Sequence, residues 1–107
     1  MTKVNVGVCG LGRIGVKHCR CFAQDRAHYT LAAVCDLDRG RVAAMQAELG
    51  GRGYDAIEAF LADPETELVI LATRSLDHVR HAGQALAAGK TVLLEKPIGV
   101  TAEDYRN

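Results

Sequence analysis

Residues Gly10-Leu11-Gly12-Arg13-Ile14-Gly15 set three glycines at a spacing that removes side chains from one short stretch of backbone. The stretch follows the β-branched run Val4–Cys9 and precedes a helix-like pattern, so it joins a strand to a helix. In such a turn Gly10 permits the tight reversal, Gly12 lets a ligand approach the backbone, and Gly15 lets the helix lie close on the sheet. Bare N–H groups at the helix start then face an anion, and the helix dipole favours the same sign of charge. That is the chemistry of a diphosphate cradle. Asp36 supplies its partner, 21 residues after Gly15 and just past a second apolar run at 31–35, where the adenosine ribose of a dinucleotide is expected. A carboxylate accepts hydrogen bonds from both ribose hydroxyls and repels a 2′-phosphate, which favours NAD over NADP. Arg39, three residues on, could accommodate such a phosphate and keeps NADP possible.

These residues need a frame to bring them together, and the rest of the chain supplies one. Short apolar runs alternate with longer helical patterns. Residues 13–26 carry Ile14, Cys19, Phe22 and Ala23 at helical spacing, and Arg39–Leu49 is an Ala-rich helix stopped by Gly50-Gly51. A weak third strand surrounds Gly53-Tyr54, followed by a short helix over 56–62 that Pro64 ends. The unbroken apolar run at 68–72 fits a strand buried on both faces. Ser75 is placed to cap the next helix, with Asp77 near its positive end, and that helix runs to Gly89 before a fifth strand, Thr91–Leu94. This alternation implies an α/β fold, a doubly wound parallel sheet of the Rossmann kind that ends after about five strands. In the usual strand order 3-2-1-4-5-6 the fifth strand becomes an apolar edge, expected to pair with another copy or a partner domain.

The bulk properties narrow the function. A chain of 107 residues makes one domain at most, and 49% hydrophobic content suits a globular one. Lys plus Arg balances Asp plus Glu at 13 each, so no net field draws it to nucleic acid or to an anionic membrane. Neither a signal-peptide pattern nor an apolar run of spanning length is visible, and a cytoplasmic protein is expected. Cys19 and Cys21 point to different sides of one helix, while Cys9 and Cys35 end neighbouring strands. None has zinc-ligand spacing, so reduced and partly buried thiols are expected, and no metal.

Two further segments carry a likeness to known proteins. Residues 72–78 read Ala-Thr-Arg-Ser-Leu-Asp-His, and residues 88–97 read Ala-Gly-Lys-Thr-Val-Leu-Leu-Glu-Lys-Pro. Together with the glycine loop they resemble the glucose–fructose oxidoreductase / inositol dehydrogenase / MocA family, over essentially all of the chain but only against that family's N-terminal cofactor domain. Glu95-Lys96-Pro97 after an A-G-K-x-V-L-x run is the most specific piece. The resemblance implies that Gly10, Gly12 and Gly15, with Leu11 and Ile14 between them, hold the pyrophosphate and that Asp36 holds the adenosine ribose. It puts Arg13 on the adenosine side, and Thr73 with the following turn, Arg74 included, along the nicotinamide half. His78 matches a histidine common at that helix start and joins the cofactor-binding set without a catalytic part. Glu95, Lys96 and Pro97 would sit beside the nicotinamide, with Lys96 as the catalytic residue that orients substrate or assists proton transfer. A lysine does this only if desolvation or neighbours lower its pKa toward working pH. By residue pattern alone, Lys96 reads as an exposed strand-end lysine.

The implied activity is an NAD(P)-dependent oxidoreductase moving hydride between a nicotinamide and a sugar, polyol or related hydroxy compound. Two departures qualify it. Arg74 stands where the family usually has proline, and the family's second, substrate-binding α/β domain has no counterpart in these residues. Thr101-Ala102-Glu103-Asp104 looks like a helix start, yet only Tyr105, Arg106 and Asn107 follow. The expectation is therefore a dinucleotide-binding domain over 1–107, cut from a longer enzyme or made by a degenerate gene. It would be inactive alone, and would meet sugar or polyol only if a second domain is supplied. The alternative is a non-catalytic NAD(P)-binding or regulatory module. A P-loop at Gly89-Lys90-Thr91 fails because position 84 is Gln and the triplet precedes a strand. A methyltransferase is disfavoured by Ile14 and gives Glu95-Lys96-Pro97 no role. His81, three residues after His78, invites a metal, but no carboxylate or cysteine completes such a site.

Overall fold

The computed structural model describes residues 3–73 and 75–94. Its elements are β1 (Val4–Cys9), α1 (Arg13–Gln24), β2 (Tyr29–Cys35), α2 (Arg39–Leu49), β3 (Arg52–Tyr54), α3 (Ile57–Leu61), β4 (Leu68–Leu71), α4 (Ser75–Ala87) and β5 (Thr91–Leu94). The strands form one sheet in the order β3-β2-β1-β4-β5, and every pairing is parallel. Each strand is linked to the next through a helix, as parallel neighbours require. The doubly wound Rossmann arrangement expected from the alternation is the one found.

The period of two along a strand splits the core into two layers. Val6 and Val8 of β1 pack with Leu11, Cys19, Val42 and Met45 on the side of α1 and α2. Cys9 joins Cys35, Phe60, Leu61 and Ala85 on the side of α3 and α4. Gly7 lies between, and its missing side chain has a packing reason. A Cβ there would come within 2.8 Å of the Phe60 ring and of the Thr66 methyl. Phe60 is fully buried in the space that Gly7 leaves. Burial of such a ring contributes roughly 1.5–3 kcal/mol.

Several boundaries differ from the sequence pattern for local reasons. α1 ends at Gln24 because residues 25–28 turn, with the His28 and Tyr29 amides both donating to the Asp25 carbonyl. β2 begins two residues before its apolar run, at Tyr29, whose ring meets Phe22 edge-on with centroids 4.8 Å apart. α4 starts at Ser75 itself, so Ser75 is the first helical residue and not the cap. Gly50 ends α2 at φ +83, and its amide donates to the Gln46 carbonyl, as a glycine C-cap should. Among the described residues β5 is an outer strand of the sheet, and Leu93 on it is half exposed.

Cys9, Cys19 and Cys35 are buried and Cys21 is exposed, all as free thiols. Burial pushes the Cys19 thiol up to about 12, out of reach of ordinary nucleophilic chemistry. The hydrogen bond with Cys35, followed by burial, pushes the Cys9 thiol far above its usual range.

The loop before β4 is held by Asp63. Its buried carboxylate accepts two bonds from Arg52 (2.7 and 2.9 Å), one from the Tyr54 hydroxyl (2.7 Å) and one from the Glu65 amide (2.9 Å). Lys90 Nζ closes the same loop by donating to the Asp63 and Thr66 carbonyls, each at 2.7 Å. The Arg52 guanidinium holds the Asp63 carboxyl down to about 2, against burial, which pushes the other way. A carboxyl depressed in the folded state adds stability that is complete above its unfolded pKa near 4 and is lost as pH falls toward 2. Asp63→Asn is expected to lower unfolding free energy by about 2 kcal/mol at pH 7. In urea titrations that difference should shrink between pH 4 and pH 2. A difference that stays constant over this range would sink the linkage.

Candidate functional site

The carboxyl ends of β1, β2 and β4 converge, and backbone hydrogen bonds lock them there. The Gly10 amide donates to the Cys35 carbonyl (2.8 Å), the Ala72 amide to the Cys9 carbonyl (2.8 Å), and the Asp36 amide to the Tyr54 carbonyl (3.2 Å). Between these strand ends opens a cavity of about 460 Å³ lined by Gly10, Gly12, Asp36, Leu37, Arg41, Thr73 and His81, among others. A larger hollow, about 590 Å³, lies near the opposite ends of the strands beside Lys3, Arg20, Tyr29 and Glu48. Arg20 there is already held by Glu48 at 2.7 and 2.9 Å. Open parallel sheets bind ligands outside the carboxyl ends of their strands, so the smaller cavity is the candidate.

The three glycines differ in what they do. Gly10 has φ +96, and a Cβ on it would lie 2.6 Å from the Ala72 carbonyl oxygen. Gly15 has no room for a Cβ because it would overlap the Gly10 carbonyl oxygen. Its close approach is thus chiefly to the glycine loop itself, with the Ala72 methyl next at 3.6 Å. Gly12 is unlike both: its φ of −75 and ψ of −167 suit any residue, and a Cβ would meet nothing within 4 Å. Nothing among the described residues requires a glycine there. What a side chain at this position would fill is the mouth of the cavity.

Helix α1 starts at that mouth with no side-chain cap and no acidic residue in its first turn. Helix α2 is the contrast, since the Asp38 carboxylate accepts from the Gly40 and Arg41 amides. The leading amides of α1 therefore have no capping side chain, and their partial positive charge faces the cavity.

Asp36 stands at the end of β2 with its side chain 13% exposed. Its Oδ2 accepts from the Leu11 amide at 2.7 Å and its Oδ1 from the Asp38 amide at 2.8 Å. Each oxygen can accept a further hydrogen bond. Leu11 is buried in the first core layer, so Asp36 ties the glycine loop to β2 through the Leu11 backbone. That second task has no signature in the sequence.

On the opposite wall, Thr73 Oγ1 lies 3.3 Å from Nδ1 of the buried His81. Arg80 Nη2 stands 3.4 Å from His81 Nε2. A guanidinium only donates, so Nε2 is the acceptor in that contact. His81 thus stands against Thr73 on this wall. No group of three or more His, Cys, Asp or Glu able to hold a metal occurs among the described residues.

The structure brings Gly10, Gly12, Asp36 and Thr73 to one cavity, with Leu11 and Gly15 buried behind it. Arg13 and Ile14 open α1 at its edge. His78 belongs to the first turn of α4, its side chain outside what is described, and Arg74, Glu95, Lys96 and Pro97 lie outside the described residues. Arg39, expected beside Asp36, instead donates to Asp55 Oδ2 at 2.6 Å. The residues missed by sequence reasoning are Leu37, Arg41 and Arg80, while His81 was weighed only as a metal ligand. Residues this near Asp36 and the end of β4 could have been found by turning the helices on their axes.

The fit to a dinucleotide rests on that open Gly12 position, the uncapped amides and a carboxylate with spare acceptor capacity. Comparison with known proteins points the same way. Residues 4–107 match the model of an oxidoreductase family with an NAD-binding Rossmann fold. Inositol 2-dehydrogenase 2 of Saccharopolyspora erythraea is 36% identical over 101 residues, covering 94% of this chain and 30% of that protein. Scyllo-inositol dehydrogenase from Lactobacillus casei, solved with NAD(H) and scyllo-inositol, superposes with a TM-score of 0.84 at 27% identity, over 98% of this chain and 31% of its own. Biliverdin reductase from Synechocystis, solved with biliverdin and NADP+, gives 0.81 at 33% identity over 94% and 31%. The chain therefore spans about 30% of the length of the relatives it matches.

Proposed function

The chain belongs to the Gfo/Idh/MocA oxidoreductase family with its NAD-binding Rossmann fold, and from that premise we propose that it holds the cofactor of a dehydrogenase acting on a sugar, polyol or related hydroxy compound. The open Gly12 position at the cavity mouth is the observation that carries this reading. When bound, the nicotinamide supplies a hydride donor or acceptor. The chain's own share is binding and orientation. The leading amides of α1 would hold the diphosphate, with Arg13 on the adenosine side, and Asp36 would accept from the ribose hydroxyls. Thr73, with His81 against it, would border the nicotinamide half together with Arg74 and His78. Glu95, Lys96 and Pro97 would complete that side, with Lys96 Nζ holding or moving a proton at the substrate.

The hydroxy-compound class is supported by the printed activities of relatives such as inositol 2-dehydrogenase. A cytoplasmic location is supported by the free, buried thiols, and no helix among the described residues is long and apolar enough to cross a membrane. Titration of the chain with NADH, followed by nicotinamide fluorescence, is the test. Saturable binding in the micromolar range, roughly −8 kcal/mol, is expected. Binding of S-adenosylmethionine in preference to NADH would overturn the assignment.

A further inference from the structure

β1 and β2 each end on a cysteine, and the register of the sheet sets the two side by side. Val6 pairs with Leu31 but Gly7 pairs with Ala33, so β2 carries one extra residue between them. Without that bulge Cys9 would pair with Val34; with it Cys9 pairs with Cys35. Both belong to the same layer of the core, beside Phe60 and Leu71, and the two thiols share a hydrogen bond. Both also line the cavity at the carboxyl ends of the strands. Neighbouring strands lie about 4.8 Å apart, within the roughly 4.4–6.8 Å between α-carbons that a disulfide spans. Cys19 packs in the other layer and Cys21 is exposed, so neither competes for this pairing.

We propose that Cys9 and Cys35 form a redox modification site, a thiol pair that hydrogen peroxide closes to a disulfide and that, once closed, loosens the cavity's hold on its ligand. The ligand in question rests on the dinucleotide reading given above. Peroxide is small enough to reach both sulfurs through a cavity of about 460 Å³. Cys9 holds its proton firmly in the shared hydrogen bond, so Cys35 attacks first. Its sulfur takes one peroxide oxygen, the O–O bond breaks, water leaves, and Cys35 becomes a sulfenic acid. The Cys9 sulfur then attacks that of Cys35, the S–O bond breaks, and the Cys9 proton leaves with the hydroxide as a second water. The thiol pair has lost two electrons and the peroxide has gained them. Side chains on neighbouring strands start about as far apart as the strands themselves, wider than the ~3.8 Å that bridged β-carbons prefer. Closing the bond therefore draws the two strand ends together. Those ends lead directly into Gly10 and Asp36. The Gly10 amide is bonded to the Cys35 carbonyl at 2.8 Å, and Asp36 Oδ2 accepts from the Leu11 amide at 2.7 Å. Movement of one end against the other shifts the glycine turn relative to the carboxylate. A bond closed under such strain is readily reduced by a thiol, which makes the change reversible.

The experiment uses the full chain carrying Cys21→Ser, which removes the exposed thiol and its intermolecular disulfides. The chain is treated with hydrogen peroxide, cleared with catalase, and titrated with NADH before and after dithiothreitol. Peptide mass spectrometry should map a Cys9–Cys35 disulfide, lighter by two hydrogens than the thiol pair. NADH affinity should fall roughly tenfold or more on oxidation and return on reduction. Cys9→Ala and Cys35→Ala are made separately in the same background and checked by thermal melting, so that either one that folds serves. Each should bind NADH equally well before and after peroxide. A folded chain that forms no Cys9–Cys35 disulfide would overturn the proposal. So would a mapped disulfide that leaves NADH affinity unaltered, or a loss of affinity on oxidation that persists in the alanine variants. A reduced chain that binds no NADH would instead defeat the dinucleotide reading, and the mapped disulfide alone would then decide the fate of the thiol pair.

Discussion

Gly12→Val is expected to weaken NADH binding by a hundredfold or more, about 3 kcal/mol, while the chain melts within a few degrees of its parent. The two halves of this result have separate causes. Valine adopts the backbone angles already present, φ −75 and ψ −167, without strain. Its Cβ enters space that no described atom occupies within 4 Å. Folding therefore loses little beyond the few tenths of a kcal/mol to about 1 kcal/mol by which valine is a poorer cap than glycine. Binding loses heavily, because branched methyls would stand where a diphosphate must approach the leading amides of α1. NADH fluorescence titration and a melting curve on the same sample separate the effects. Parent-like affinity, or a variant that does not fold, would each refute the assignment of that space to a ligand.

Gly15→Ala should fail in the opposite way, losing more than about 3 kcal/mol of stability, which leaves a small domain mostly unfolded. Helix propensity alone predicts the reverse sign, since alanine exceeds glycine by about 1 kcal/mol inside a helix. Sterics decide it. The new Cβ would overlap the Gly10 carbonyl oxygen, which is backbone and has no rotamer to change. Gly10 has little freedom to yield, for it sits at φ +96 and its amide is bonded to the Cys35 carbonyl. Urea unfolding reads the outcome, and a midpoint at or above the parent's would contradict this account. One motif thus contains a glycine that the described fold does not require and two that it does.

Much of this was legible in the sequence because the signals are local. β-branched runs, helical spacing and the two glycine stops placed the nine elements of the described residues, and the parallel order follows from the alternation. The glycine turn between β1 and α1 was legible too, since Gly10 to Gly15 follows a strand pattern and opens a helical one. What escaped depends on contacts across the sheet. The start of β2 at Tyr29 is set by the Phe22 ring, seven residues back on α1. The tie from Asp36 to the Leu11 amide spans 25 residues and exists only when β1 and β2 lie side by side. Whether Arg39 or Arg41 lines the cavity turns on the phase of α2, because residues two apart on a helix point about 200° apart. Asp55, which captures Arg39, lies 16 residues further along the chain. The contact of His81 with Thr73, eight residues apart, likewise exists only once α4 packs against the end of β4.

The strand order has a consequence for how the domain is made. Of the described strands β1 is made before the other four, and it lies between β2 and β4. β2 and then β3 extend the growing sheet on one flank, after which β4 and β5 extend it on the other. Every newly emerged strand docks on an edge that already exists, and none has to wedge between two that have closed. For the described strands, the order of synthesis and outward growth from β1 run in the same direction, so no strand need displace an earlier pairing to reach its place.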